Sequence, residues 1–167
     1  MLKNLIAFPL LFLVVILQSA VISRIPLLAG YGDLMLVVLA AWSLQPQVET
    51  SWHWAILGGI LVIFVTALPW PVILIGYGLV ILLARLMQGR FWQTPLLVMF
   101  SVTFLGTMGM NLLSISVLQL AGTPVSFGDA LGYITLPSLL LNLLLAIPVY
   151  AFMRDLAQWI YPTEKFE

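Results

Sequence analysis

The sequence predicts an all-α fold: a polytopic membrane helix bundle, one integral domain over residues 1–167, with about six transmembrane helices. Two observations predict it. Hydrophobic residues make up 63% of the chain and charged residues 7%, against roughly 45–50% and roughly 25% in soluble domains. A soluble fold of this length could not hide so much apolar surface, so lipid is its solvent. The second observation is the stretch LPSLLLNLLLAIPVYAFMRDL, Leu136 to Leu156, uncharged as far as Met153 and with Asn142 its one strongly polar residue. An apolar run of about 18 residues crosses the ~30 Å hydrocarbon layer as a helix. Arg154, Trp159 and Tyr161 follow directly, as anchors at the water boundary do. Pro137 suits a first helical turn, where its missing N–H would be unpaired anyway.

In chain order, Lys3 followed by Leu5 to Leu17 has the charged-then-apolar form of a signal peptide. Ser19-Ala20 sits poorly for an A-x-A-like cleavage site, and the segment reads as an uncleaved first helix, Leu5 to Ile22. A break runs from Arg24-Ile25-Pro26 to Gly30-Tyr31-Gly32-Asp33, and the Asp33 carboxylate can cap the next helix. That second helix, Leu34 to Leu44, reaches only about 17 Å. Either the membrane thins there or residues 26–32 are irregular backbone at membrane depth. The second case is favoured, and other protein must then cover it. Gln45 to Thr50 is a polar loop. A third helix spans Trp52 to Leu68 and is ended by Pro69-Trp70-Pro71. A fourth spans Val72 to Met87 and stops at Gln88-Gly89-Arg90. The fifth, Pro95 to Leu120, is interrupted by Gly106, Gly109, Asn111, Ser114 and Ser116. An outer loop from Ala121 to Asp129 leads into the sixth.

With both termini cytoplasmic, six crossings put Lys3, Arg85, Arg90, Arg154 and Lys165 inside and only Arg24 outside, the asymmetry of the positive-inside rule. Trp42, Trp52, Trp54, Trp92 and Trp159 fall near the inner interface, with Trp70 and Tyr133 near the outer one.

The stock of reactive groups is small. There is no cysteine, so no disulfide, thiol nucleophile or thiolate metal site is available. His53, the one histidine, sits between Trp52 and Trp54 and reads as a solvated interfacial residue. Net charge is zero with no basic tract, which argues against nucleic acid. Arg24 and Asp33 flank the outer break and could pair across it; the plainer roles are headgroup anchor and helix cap. Gln18, Ser19, Thr66, Asn111, Ser114, Ser116, Gln119 and Asn142 are amides and hydroxyls within apolar runs. They form no acid–base pair or metal set, and no Ser–His–Asp set is plausible. Hydrogen bonding between helices, at ~0.6 kcal/mol each, is the expected role, and a small outward-opening cavity is the alternative. Ser19/Ser23, Ala55/Gly59 and Thr103/Thr107 are small-x-x-x-small pairs, joined by Gly58-Gly59 and Gly76-x-Gly78. Such faces let helix backbones approach, within the chain or against a partner.

The run Pro137-Ser138 to Asn142, then Pro148-Val149-Tyr150 and Arg154, resembles the last helix of the rod-shape-determining MreD family. Leu17-Gln18-Ser19, Pro26-Leu27-Leu28 and Gly32-Asp33-Leu34 are similar too, so the likeness spans nearly the whole chain. It departs at Val65-Thr66-Ala67, where members often carry an aspartate, and its inner ends are poorer in arginine. The resemblance implies a bacterial inner-membrane protein with no enzymatic activity and no cofactor. It also implies a fold like the six-helix substrate-binding subunits of energy-coupling-factor transporters. The implied partner is MreC, with RodA, its transpeptidase and the actin-like MreB reached through the same assembly. The expected function is a non-enzymatic scaffold of side-wall peptidoglycan synthesis that docks a partner's transmembrane helix. Arg24, Asp33, Ala55, Gly59, Asn111 and Asn142 are its candidate structural or partner-contact residues. The alternatives are a vitamin-binding transporter subunit, although the first helix lacks the Ala-x-x-x-Ala docking motif usual there, and a structural subunit of another membrane complex.

Overall fold

A computed structural model describes residues 6–89, 94–124 and 126–162. Lys3, Arg90, Trp92 and Lys165, used above for orientation, lie outside the described residues. All the regular structure among the described residues is helical. The elements are α1 (Ala7–Ala20), α2 (Leu34–Ser43), α3 (Ser51–Ile63), α4 (Trp70–Met87), α5 (Pro95–Leu120) and α6 (Phe127–Ile160). Four stretches are long and apolar enough to cross a membrane: Ala7–Arg24, where a 3-10 turn extends α1, and α4, α5 and α6. The other two helices are short, 10 residues in α2 and 13 in α3.

The short α2 is the centre of the molecule. All ten of its residues are buried, because α1, α3, α4, α5 and α6 all pack against it. The surrounding helices neighbour one another in the order α1, α3, α4, α5, α6. Each turns one stripe inward and leaves apolar side chains outside. On α4 the inward stripe is Val72, Ile73, Gly76, Tyr77, Val80, Ile81 and Ala84, the spacing of one face of a 3.6-residue helix. On α1 the exposed large apolar side chains are Phe8, Phe12, Leu13, Ile16 and Leu17. An apolar exterior around a packed interior suits a lipid-bathed bundle.

Several boundaries differ from expectation. α3 stops at Ile63 rather than Leu68, because Leu68 N donates to Thr66 Oγ1 at 3.3 Å in a local turn, and a residue preceding proline is disfavoured in helix. Trp70 and Pro71 open α4 instead of only ending α3, since proline fits a first turn. α5 runs unbroken through Gly106, Gly109 and Asn111. Its serines turn back on their own helix, Ser114 to Met110 O and Ser116 to Leu112 O, both at 2.8 Å.

The sixth helix departs most. It begins at Phe127, not Pro137, and passes through a π-helical segment, Leu131–Thr135, before its α-helical run from Leu136. Pro137 therefore lies inside the helix. With no N–H to give, it leaves the carbonyl of Tyr133, four residues earlier, without its usual donor. Ala29 N, from the break after α1, donates to that carbonyl at 3.1 Å.

The tryptophans are corrected too. Trp42 and Trp54 are not interface anchors but a buried stacked pair, centroids 4.2 Å apart and 24° between planes. Trp52, Trp70, Trp159 and Tyr133 are exposed.

Candidate functional site

The chain alternates between two ends of the bundle, and its polar residues collect at both. At one end, the Arg85 end, the guanidinium donates to Val48 O at 2.7 Å, Ser51 Oγ at 3.1 Å and Gln88 Oε1 at 3.3 Å. Gln88 Nε2 donates to Gln45 O, and Gln45 Nε2 donates to Ala41 O. This lattice ties the α2–α3 loop to the C-terminal end of α4. Tyr150 lines one pocket with Leu44, Pro46 and Gln88, which brings the last turns of α6, with Arg154, to the same end. Arg154 pairs with Asp155 at 3.1 Å, both exposed. His53 is exposed in the first turn of α3 at this end, away from Asp33 and Asp129.

The opposite end is organised around residues 29–36. A chain crossing apolar surroundings without helix or sheet must have its N–H and C=O groups met by something else. Here four side chains, the Tyr133 carbonyl and a Leu27–Gly30 backbone pair do so. The Gln18 amide works at both ends: Nε2 donates to Gly32 O and Oε1 accepts from Leu34 N, each at 2.7 Å. Tyr31 N donates to Ser138 Oγ at 3.1 Å, and Asp33 N donates to Asn142 Oδ1 at 2.6 Å. The Asp33 carboxylate caps α2 by accepting from Leu36 N at 2.9 Å. It also accepts from Tyr77 Oη, at 3.3 and 3.4 Å. Asn142 continues to α5, its Nδ2 donating to Thr107 Oγ1 at 2.9 Å. The break is thereby stitched to α1, α4 and α6, and through Asn142 to α5.

Shape completes the stitching. A Cβ on Gly30 would lie 2.6 Å from Ile134 O and 2.7 Å from Ser138 N, so only glycine lets the break rest on the α6 backbone. Gly30 and Gly32 are buried, while Ile25 to Ala29 are exposed. The expectation of irregular backbone covered by protein thus holds for the second half of the break and not the first.

The predicted residues separate accordingly. Asp33 and Asn142 join one network. Arg24 is exposed and makes no ion pair with Asp33, whose oxygens go to Leu36 and Tyr77 instead. Ala55 and Gly59 are buried within the chain; a Cβ on Gly59 would lie 2.6 Å from Leu74 of α4, and one on Gly58 2.8 Å from Met35 of α2. Gly76 likewise receives Met110 of α5. These small faces join helices of this chain. Ser19 and Ser23 are exposed.

Beside the network is a cavity of about 530 Å³. Gln18, Asp33, Tyr77, Asn111, Ser114 and Ser138 face it, with apolar walls from Val62, Ile73 and Met110. Ser19 and Thr66 also line it. The polar residues of the apolar runs thus serve both purposes weighed above: Gln18, Ser138 and Asn142 bond between segments, and Ser19, Thr66, Asn111 and Ser114 border a cavity. Ser116 does neither, being exposed on α5. Tyr77 was missed in the sequence, because a tyrosine between two glycines in a leucine-rich helix reads as filler.

Comparison with protein-family models, with curated proteins and with solved structures gives no match. What the chain does is therefore argued from its own residues and geometry.

Proposed function

We propose that this protein is an MreD-like membrane scaffold: a non-enzymatic subunit of the bacterial side-wall peptidoglycan machinery that docks the transmembrane helix of an MreC-like partner. One observation carries the reading. The segments that resemble the MreD family, around Gln18, Gly32-Asp33-Leu34, Ser138 and Asn142, are far apart in the chain yet meet in one hydrogen-bonded network. A likeness spread over disconnected leucine-rich runs would have no reason to converge in this way. The reading includes six crossings in the inner membrane with both termini cytoplasmic, and a fold like that of energy-coupling-factor substrate-binding subunits. The alternation of loops between the two ends supports six, since the Arg85 lattice holds the α2–α3 loop at the end opposite Asp33.

Docking must use the outside of the bundle, because Ala55, Gly59 and Asn142 are consumed inside it. An apolar groove between α5 and α6, lined by Phe100, Phe104, Leu140, Leu144 and Ile147, offers a face of the right chemistry for one transmembrane helix. The test is mild extraction of the chain tagged at its C-terminus, with identification of the co-purifying proteins and the cell shape on depletion. Rounded cells and an MreC-like partner are expected. Normal rods in a deletion strain would overturn the proposal.

The cavity favours a second reading, a small-molecule-binding membrane subunit. Mass spectrometry of the denatured, purified protein tests it: a stoichiometric metabolite supports a binding role for the cavity, and the co-purification above tests the docking role by itself.

A further inference from the structure

We propose that the cavity at the Asp33 end binds a small organic ammonium ion, its charge at the Asp33 carboxylate and its body against Val62, Ile73 and Met110. The inference rests on the cavity and not on the docking role, so the two fail separately. Three features converge on this ligand class. The first is charge. Of the described residues lining the cavity, none is Lys, Arg or His, and the one carboxylate is Asp33. The N-terminus of α2 contributes about half a positive charge there, which the Asp33 carboxylate outweighs when ionised, so the cavity then favours a cation over an anion. A carboxylate held away from bulk water without a cation is costly. Leu36 N and Tyr77 Oη, the groups that bond it, are both neutral.

The second feature is size. A cavity of about 530 Å³ is far larger than a bare metal ion needs, and falls in the range of small-molecule sites. The third is the balance of its walls. Branched and thioether side chains line one part, and spare hydrogen-bonding groups the other. Asn111, half-buried on α5, has no hydrogen-bond partner among the described residues. Ser138 Oγ accepts from Tyr31 N and retains its own proton to donate. A protonated amine on an apolar body meets all three conditions, whether it arrives as a free amine or as the headgroup of an amino-lipid.

Calorimetric titration of the full chain in phosphatidylglycerol nanodiscs tests this, with phenethylammonium as the probe and phenethyl alcohol and phenylpropanoate as uncharged and anionic counterparts. Saturable binding of the ammonium alone is expected. Asp33→Asn keeps a capping acceptor and is expected to weaken binding about tenfold or more, the worth of a charged hydrogen bond in a shielded site. Should that variant fail to fold, Asn111→Leu is the second probe, with weaker binding at unchanged melting temperature expected. Repeating the titration in phosphatidylethanolamine nanodiscs identifies the source: loss of binding there marks a lipid headgroup as occupant, and persistence marks a free amine. Equal binding of all three probes, no binding in phosphatidylglycerol, or unchanged affinity in Asp33→Asn and Asn111→Leu overturns the proposal.

Discussion

Asn142 shows how much one side chain can hold in an apolar bundle. Its carbonyl oxygen satisfies Asp33 N and its amide reaches Thr107, so a single buried residue fixes α2, α5 and α6 together. Asn142→Leu leaves both partners without it, and a buried donor that loses its acceptor costs about 1–3 kcal/mol. A clearly lower melting temperature in detergent, with unchanged topology, is the expected result; an unaltered melting curve would refute the role. Gly30→Ala is expected to be at least as damaging. The added methyl meets the Ile134 carbonyl and Ser138 N–H, which are backbone and cannot swing aside, and forced overpacking costs about 1–3 kcal/mol. Gly132→Ala is the control, since a Cβ there meets nothing within 4 Å. Asn142 and Asp33 were legible in the sequence because a polar residue in an apolar run must find a partner. The cap on Leu36 N was the plainer reading of Asp33 and a pairing with Arg24 the alternative; the bond from Tyr77 was not legible. Asp33 was always going to cap α2, but its second partner comes from another helix, and no local pattern encodes that.

Among elements, the helices that follow strong local rules were read almost to the residue. Pro95 opens α5 and Gly122, with φ of 82°, follows its end, as proline and glycine punctuation dictates. Elements whose ends depend on distant contacts were misread. Pro137 looked like a helix start, yet it marks the point where α6 gives up one internal hydrogen bond and accepts Ala29 N at the Tyr133 carbonyl. This yields a contrast between two prolines of one helix. Replacing a proline inside a helix by alanine ordinarily gains up to about 3 kcal/mol. Pro148, exposed on the outside of α6, is expected to behave that way, with Pro148→Ala raising the melting temperature. Pro137→Ala is expected to gain nothing or to destabilise, because a new N–H at residue 137 competes with Ala29 for the same carbonyl. Thermal melts of the two variants side by side check this, and equal stabilisation would mean the Ala29 bond has no weight.

For the whole molecule, composition was enough to assign a lipid-bathed helical bundle, but not to show that its shortest helix is its core. α2 can be short because five helices screen it from lipid, and its flanks extend the path as irregular backbone satisfied by Gln18, Ser138 and Asn142 at one end and by Arg85 and Gln88 at the other. Length and composition give four helices able to cross; the topology proposed above has six. The two counts place Glu49 differently. With four, α2 and α3 return to the side they left and Glu49 shares a face with Thr123. With six, Glu49 lies on the opposite face, with Trp159, because Val48 O is bonded to Arg85 at the far end of α4. The chain has no cysteine, so single-cysteine variants at these exposed positions can be labelled in intact cells with a membrane-impermeant maleimide. Thr123→Cys and Val65→Cys are expected to react from outside, while Glu49→Cys and Trp159→Cys react only after the cells are opened. Labelling of Glu49→Cys together with Thr123→Cys from outside would leave α2 and α3 as a re-entrant pair, and the Arg85 lattice could not then stand.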